Sequence, residues 1–149
     1  MTRHRDLLIV AIILFLAAAY FYQDPEWNGN SRLDLTRAIV EQGNLRIDAF
    51  RSQTDWSTED AAYYNGHYYS DKAVGSALFA VPFYFLLYEI AKAFNIALSS
   101  ILIKHFLTTI VLGMAFTING SAMYLIARKL TQNYWKALIA ASAAPVSAS

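Results

Sequence analysis

The chain has no cysteine, three prolines and six glycines in its 149 residues. Without cysteine there are no disulfides and no thiolate chemistry. Lys and Arg number 12 against 11 Asp and Glu, a net charge of +1, so the basic footprint of a nucleic-acid binder is missing. Charged residues make up only 15% of the chain, and they gather in residues 24–72 and beside the apolar runs. There is no Walker loop, no dinucleotide fingerprint, no Gly-x-Ser-x-Gly and no zinc-ligand spacing. No internal repeat with a period of roughly 20–50 residues is visible.

What the chain has in excess is apolar sequence, 56% against about 45–50% in an ordinary soluble domain. Residues 7–22 are charge-free and follow Arg3 and Arg5. They predict a first span with a cytoplasmic N-terminus, and Tyr20, Phe21, Tyr22 and Trp27 mark its far interface. A signal peptide is the rival reading of this run, since Ala17-Ala18-Ala19 fits a processing site. Residues 73–91 are a second span or a re-entrant segment, kinked at Pro82. Residues 106–127 are the clearest span, ended by Arg128 and Lys129. Residues 134–149 begin an incomplete fourth. The expected fold is therefore an all-α integral membrane protein of three to four apolar helices, a single membrane domain and part of a larger protein. Strict alternation of these runs sends Arg128 and Lys129 outside, against the positive-inside rule. A re-entrant second segment would keep them in the cytoplasm, and the sequence leaves both arrangements open.

Residues 23–72 form a polar segment on the extracytoplasmic side. Asp24-Pro25-Glu26-Trp27-Asn28-Gly29-Asn30 is rich in turn formers. Residues 31–42 are predicted to form an amphipathic helix, with Ser31 as N-cap, Asp34 completing a weak capping box and Gly43 as the stop. Leu45, Ile47 and Phe50 alternate with polar residues as in a short extended stretch, and residues 52–60 read as loop.

Two clusters in this segment could carry chemistry. In Tyr68-Tyr69-Ser70-Asp71-Lys72, Lys72 supplies a compact positive charge where phosphate headgroups sit, Tyr69 and Ser70 supply hydroxyls, and Asp71 orients the lysine. The plainer alternative is an interfacial flank in which lysine snorkels and tyrosine anchors. In the second cluster Asp24, Glu26 or Asp34 could serve as a general base or hold a divalent metal, or simply form a solvated turn and a helix cap. His67 has no His or Cys partner at ligand spacing and reads as a loop histidine.

The order of these parts resembles the N-terminal portion of the polytopic GT-C glycosyltransferases. It is most similar to the bacterial relatives of protein O-mannosyltransferases and of the lipid A aminoarabinose transferase. The resemblance rests on residues 30–43 (Asn-Ser-Arg-Leu-Asp-Leu-Thr-Arg-Ala-Ile-Val-Glu-Gln-Gly) and 64–75 (Tyr-Asn-Gly-His-Tyr-Tyr-Ser-Asp-Lys-Ala-Val-Gly). It implies a sugar donor carried on a polyprenyl phosphate, a loop carboxylate as base, and Lys72, with Asp71 before it, contacting the donor phosphate. Two positions depart from the pattern: Val74 stands where proline is usual, and Asn28-Gly29 where the acidic pair is expected. Asp24, Glu26 or Asp34 would have to replace that pair, or the chemistry differs.

The function expected is transfer of a sugar from a polyprenyl-phosphate donor to a protein, lipid or polysaccharide acceptor at the outer face of the inner membrane. The resembled enzymes are several times longer, so this piece alone is expected to be inactive. The alternative is a small non-catalytic membrane subunit or scaffold, with Gly113, Gly120, Ser121 and Ala122 offering a close-packing face to a partner helix.

Overall fold

A computed structural model describes residues 2–22, 24–53 and 56–143. The element order is α1 (Thr2–Tyr20), α2 (Trp27–Gln42), β1 (Ser52–Gln53), β2 (Trp56–Ser57), β3 (Ala61–Tyr64), β4 (His67–Ser70), α3 (Gly75–Ala93), α4 (Ser100–Thr131) and α5 (Tyr134–Ala143). The chain is mostly helical, as expected, but it is not all-α. The chain divides into two compact units, Gln23–Val111 and Met1–Tyr22 with Leu112–Ser149.

In the first unit, the strands come from residues read as loop. Asn65 and Gly66 both take positive φ, 48° and 84°. That is the backbone of a two-residue type I′ hairpin turn, which asparagine and glycine favour. It pairs β3 with β4 antiparallel, from Ala61 opposite Ser70 to Tyr64 opposite His67. Arg46 bridges to Tyr69, and the Ile47 N–H donates to the Tyr68 carbonyl at 2.9 Å. The predicted extended stretch at 45–50 is thus a bridge followed by a turn. β1 and β2 form a second, two-residue ladder.

α2 begins at Trp27, four residues before the predicted start. Ser31 is therefore not a cap: it is fully buried inside the helix, its hydroxyl 2.8 Å from that of Ser70. Gly43 does stop the helix as expected, at φ 65°, with its N–H and that of Asn44 returning to the Ile39 and Ala38 carbonyls. Leu35, Ala38, Ile47, Phe50 and Ala77 form one small core, and Leu33, Trp56, Ala80, Tyr84, Ile103 and Leu107 another. The inward residues of α3 are Ala77, Ala80, Tyr84 and Ala91, one face at helical spacing. Thr36 donates to the Ala77 carbonyl at 3.2 Å, and the Tyr84 hydroxyl donates to Glu41 at 2.6 Å. α3 therefore lies along α2. Pro82 sits within α3 without ending it.

α4 is one continuous helix of 32 residues that absorbs the predicted span 106–127 and also Lys104, His105, Arg128 and Lys129. In the second unit it runs antiparallel to α1. A Cβ at Gly113 would lie 3.1 Å from Phe15, and one at Gly120 would lie 2.5 Å from Leu14 and 3.2 Å from the Ala141 carbonyl. Val10, Leu14, Tyr124, Ala137 and Ala141 form the core between α1, α4 and α5. Of the small residues read as a face for a partner helix, Gly113 and Gly120 therefore meet the chain's own helices, while Ala122 is exposed. The predicted fourth span is helical to Ala143, and residues 144–149 of it lie outside the described residues.

Among the described residues two helices, α3 and α4, are long and apolar enough to cross a membrane. Only 22% and 28% of their most apolar stretches are buried, whereas the core helix of a soluble domain is covered on most sides. α1 carries Arg5 and Asp6 within its first turns, and its uncharged part is shorter.

The contact at Gly120 gives a direct test. Gly120→Val forces two extra methyl-bearing branches against Leu14 and the Ala141 backbone, and is expected to destabilise this unit by about 1–3 kcal/mol. A lowered thermal midpoint in detergent, with helical content retained below it, is the expected result.

Candidate functional site

The first turns of α2 are fastened to residues 57–60 and to the hairpin by side chains, of which Asn30, Ser31 and Thr58 are buried. The Thr58 hydroxyl donates to the Trp27 carbonyl at 2.7 Å and accepts the Asp60 N–H at 3.1 Å. Asn30 Nδ2 donates to the Ser57 carbonyl at 2.9 Å. Ser70 Oγ, already bound to Ser31, accepts the Lys72 N–H at 3.4 Å. These bonds set Glu26, Trp27 and Asn28 across from Asp60, and the four residues line a pocket of about 470 Å³. That volume is within the range of small-molecule sites, roughly 300–1,000 Å³.

Lys72 reaches this pocket through Asp60. Its Nζ lies 3.3 Å from Asp60 Oδ2 and 3.3 Å from Asp71 Oδ1, with about a quarter of the side chain exposed. Desolvation pulls the ammonium pKa down, but the two carboxylates outweigh it, so the group sits above the usual lysine value and stays charged. Asp71 thus does hold the lysine, and Asp60, which sequence reasoning passed over, holds it equally closely. Tyr69 lies on the face of β4 opposite Ser70, because successive strand residues alternate. The hydroxyl beside Lys72 is that of Ser70.

The three carboxylates proposed as base separate. Asp24 is 2.9 Å from Lys104 Nζ in an ion pair; Lys104 is buried and also stands 5.9 Å from the Trp56 ring. Glu26 occupies the N-cap position of α2 and lines the pocket, but its side chain makes no cap hydrogen bond. Asp34 is sealed inside, fully buried, and neither carboxylate oxygen has a hydrogen-bond partner. Burial raises its pKa to about 8; Arg37 and the nearby Trp56 N–H pull it back only in part, and the indole closes no good hydrogen bond to it. The predicted capping role for Asp34 is therefore replaced by that of a buried neutral acid.

Of the pair Asn28-Gly29, the glycine is under a steric constraint. A Cβ on Gly29 would lie 2.4 Å from Pro25 Cβ. No side chain fits at 29 while Pro25 keeps its place.

Elsewhere in this unit, Asp48 accepts the Tyr68 N–H at 3.0 Å and faces His67 Nδ1 at 3.2 Å. The pairing makes His67 part of the hairpin's attachment. Among the described residues no group of three or more His, Cys, Asp or Glu is placed to hold a metal ion. Comparison with known protein families, with curated proteins and with solved structures finds no match.

Asp34 predicts a pH dependence. Its folded pKa, about 8, lies above the unfolded value of 3.8, so the folded state binds the extra proton between these limits. The full stability is present below about pH 4, falls as pH rises, and levels off above about pH 8. The loss is on the order of 5 kcal/mol across that window. Asp34→Asn should flatten the decline and stabilise the protein at pH 8, as read from thermal midpoints across the pH series.

Proposed function

We propose that residues 24–75 form the donor-phosphate end of a membrane glycosyltransferase site that uses a sugar on a polyprenyl phosphate. The observation that carries this reading is the pocket of Glu26, Trp27, Asn28 and Asp60 with Lys72 at its edge. Of the residues joined there, Lys72 lies in one of the two segments in which the sequence resembles those enzymes, and Asn28 stands where their acidic pair is expected. The first turn of α2 adds the positive end of a helix to the same pocket, which favours an anion. Lys72 binds the phosphate and stabilises it as it departs, and a pocket carboxylate accepts the proton of the acceptor hydroxyl.

The reading includes a topology in the inner membrane. α1 and α4 run antiparallel, so Arg3 and Arg5 share an end with Arg128 and Lys129, and the positive-inside rule makes that end cytoplasmic. Lys104 stands 24 residues before Arg128 on one helix, about 36 Å away at 1.5 Å per residue, enough to cross the hydrocarbon layer. The reading takes α3 as re-entrant, with both ends on the outer side, since residues 23–72 precede it and residues 94–99 alone separate it from α4. It packs one face on α2 and leaves Leu78, Phe79, Phe85, Leu86 and Ile90 exposed, as a lipid-facing side requires.

Two experiments test the reading. Lys72→Ala should lower sugar transfer from polyprenyl-phosphate donors on the order of 100-fold in membranes from cells expressing the protein from its own gene. Undiminished transfer would remove the lysine's role. Because the chain has no cysteine, single cysteines report topology cleanly. In intact spheroplasts a membrane-impermeant maleimide should label Lys92→Cys, and should label Arg128→Cys only after the membrane is opened. The reverse pattern would make α3 a full span.

A further inference from the structure

Resting on the transferase reading, we propose that Asp60 is the carboxylate that accepts the acceptor's proton, released for that task when the donor phosphate takes its place on Lys72.

Three observations lead there. Asp60 and Glu26 are the only carboxylates among the residues lining the pocket, and Asn28 lines it from the position where the resemblance calls for an acid. Asp60 is held where Glu26 is not. The Asp60 N–H is fixed by Thr58, whose hydroxyl is tied to the α2 backbone at Trp27, and the carboxylate stands 3.3 Å from Lys72. The Glu26 side chain makes no hydrogen bond or ion pair among the described residues, and the residue is exposed. A base must be positioned before it can act, and a second shell is what positions it. Lastly, Asp60 and a phosphate compete for one ammonium. Lys72 already has Asp71 as a second carboxylate, so exchanging Asp60 for the donor phosphate keeps the lysine paired while freeing Asp60 toward the pocket.

The step balances without a further reagent. The acceptor oxygen forms a bond to the sugar's anomeric carbon as the bond from that carbon to the phosphate oxygen breaks. The bonding pair leaves on the polyprenyl phosphate, which Lys72 neutralises, and the acceptor's hydroxyl proton passes to the Asp60 carboxylate. The exchange makes base release conditional on donor binding. A lysine already carrying its phosphate is thus the signal that the neighbouring acid is free.

The experiment separates binding from transfer. Undecaprenyl phosphate is the binding probe, followed by native mass spectrometry on the purified protein. Transfer is followed in membranes from cells expressing the protein from its own gene, with their polyprenyl-phosphate sugars. Asp60→Asn should bind the probe at least as tightly as the wild type, because a competitor for Lys72 is gone, while transfer falls on the order of 100-fold. Glu26→Gln should lose less transfer than Asp60→Asn. Asp60→Glu, which keeps the charge, should recover part of the transfer, and equal thermal midpoints will show that the variants fold alike. Wild-type transfer by Asp60→Asn, or equal transfer by Asp60→Asn and Asp60→Glu, would overturn the assignment to Asp60 and leave the transferase reading standing. Failure of the wild type both to bind the probe and to transfer would overturn that reading and this inference with it.

Discussion

The attachment of α2 to the strands is the constraint on which the loop unit depends. A helix that carries Asn30, Ser31, Asp34, Thr36 and Arg37 among its buried residues cannot be held by apolar packing alone. Each of those groups needs a partner or incurs a desolvation cost. Asn30 reaches the Ser57 carbonyl, Ser31 reaches Ser70, Thr36 reaches backbone carbonyls, and Arg37 is divided between Glu41 and Gln53 with Phe50 and Trp56 against its plane. Asn30 Oδ1 is left without one, as are both carboxylate oxygens of Asp34, whose pKa burial pushes up to about 8. The same bonds that satisfy α2 bring its first turn to Asp60 and, through Ser70, to Lys72. Fold and candidate site are therefore one network of bonds.

How much of this was legible in the sequence depended on whether the signal was local. Gly43 announced the end of α2 because only a left-handed residue closes that turn well. The uncharged runs announced α3 and α4 by composition. The hairpin was equally local though not predicted: Asn65-Gly66 between Ala-Ala-Tyr-Tyr and His-Tyr-Tyr-Ser is a strong two-residue turn signal. The early start of α2 was hidden because Pro25 and the Asn28-Gly29-Asn30 run read as turn.

What could not be read was anything made by long-range contact. Asp60 is twelve residues from Lys72 in sequence, and nothing in its neighbours marks it as the lysine's partner. Asp34 looked like a cap because capping is a local pattern, whereas its burial follows from Trp56 and α3 closing over α2. Asp24 looked like a free acid until Lys104, eighty positions away, was placed beside it. Asp24 and Asp34 were thus decided by residues outside their own segment, whereas Glu26 stays at the pocket without a side-chain partner among the described residues.

Pro25 and Gly29 form a coupled pair. A Cβ added at 29 would lie 2.4 Å from Pro25 Cβ, so a side chain fits there only if Pro25 shifts or is replaced. Position 28 already carries a side chain and lines the pocket. The charge of the pocket can therefore change by one substitution at 28, but a side chain at 29 needs a second change at the proline. The corner at Pro25 thus sets the order in which the lining of this pocket can vary.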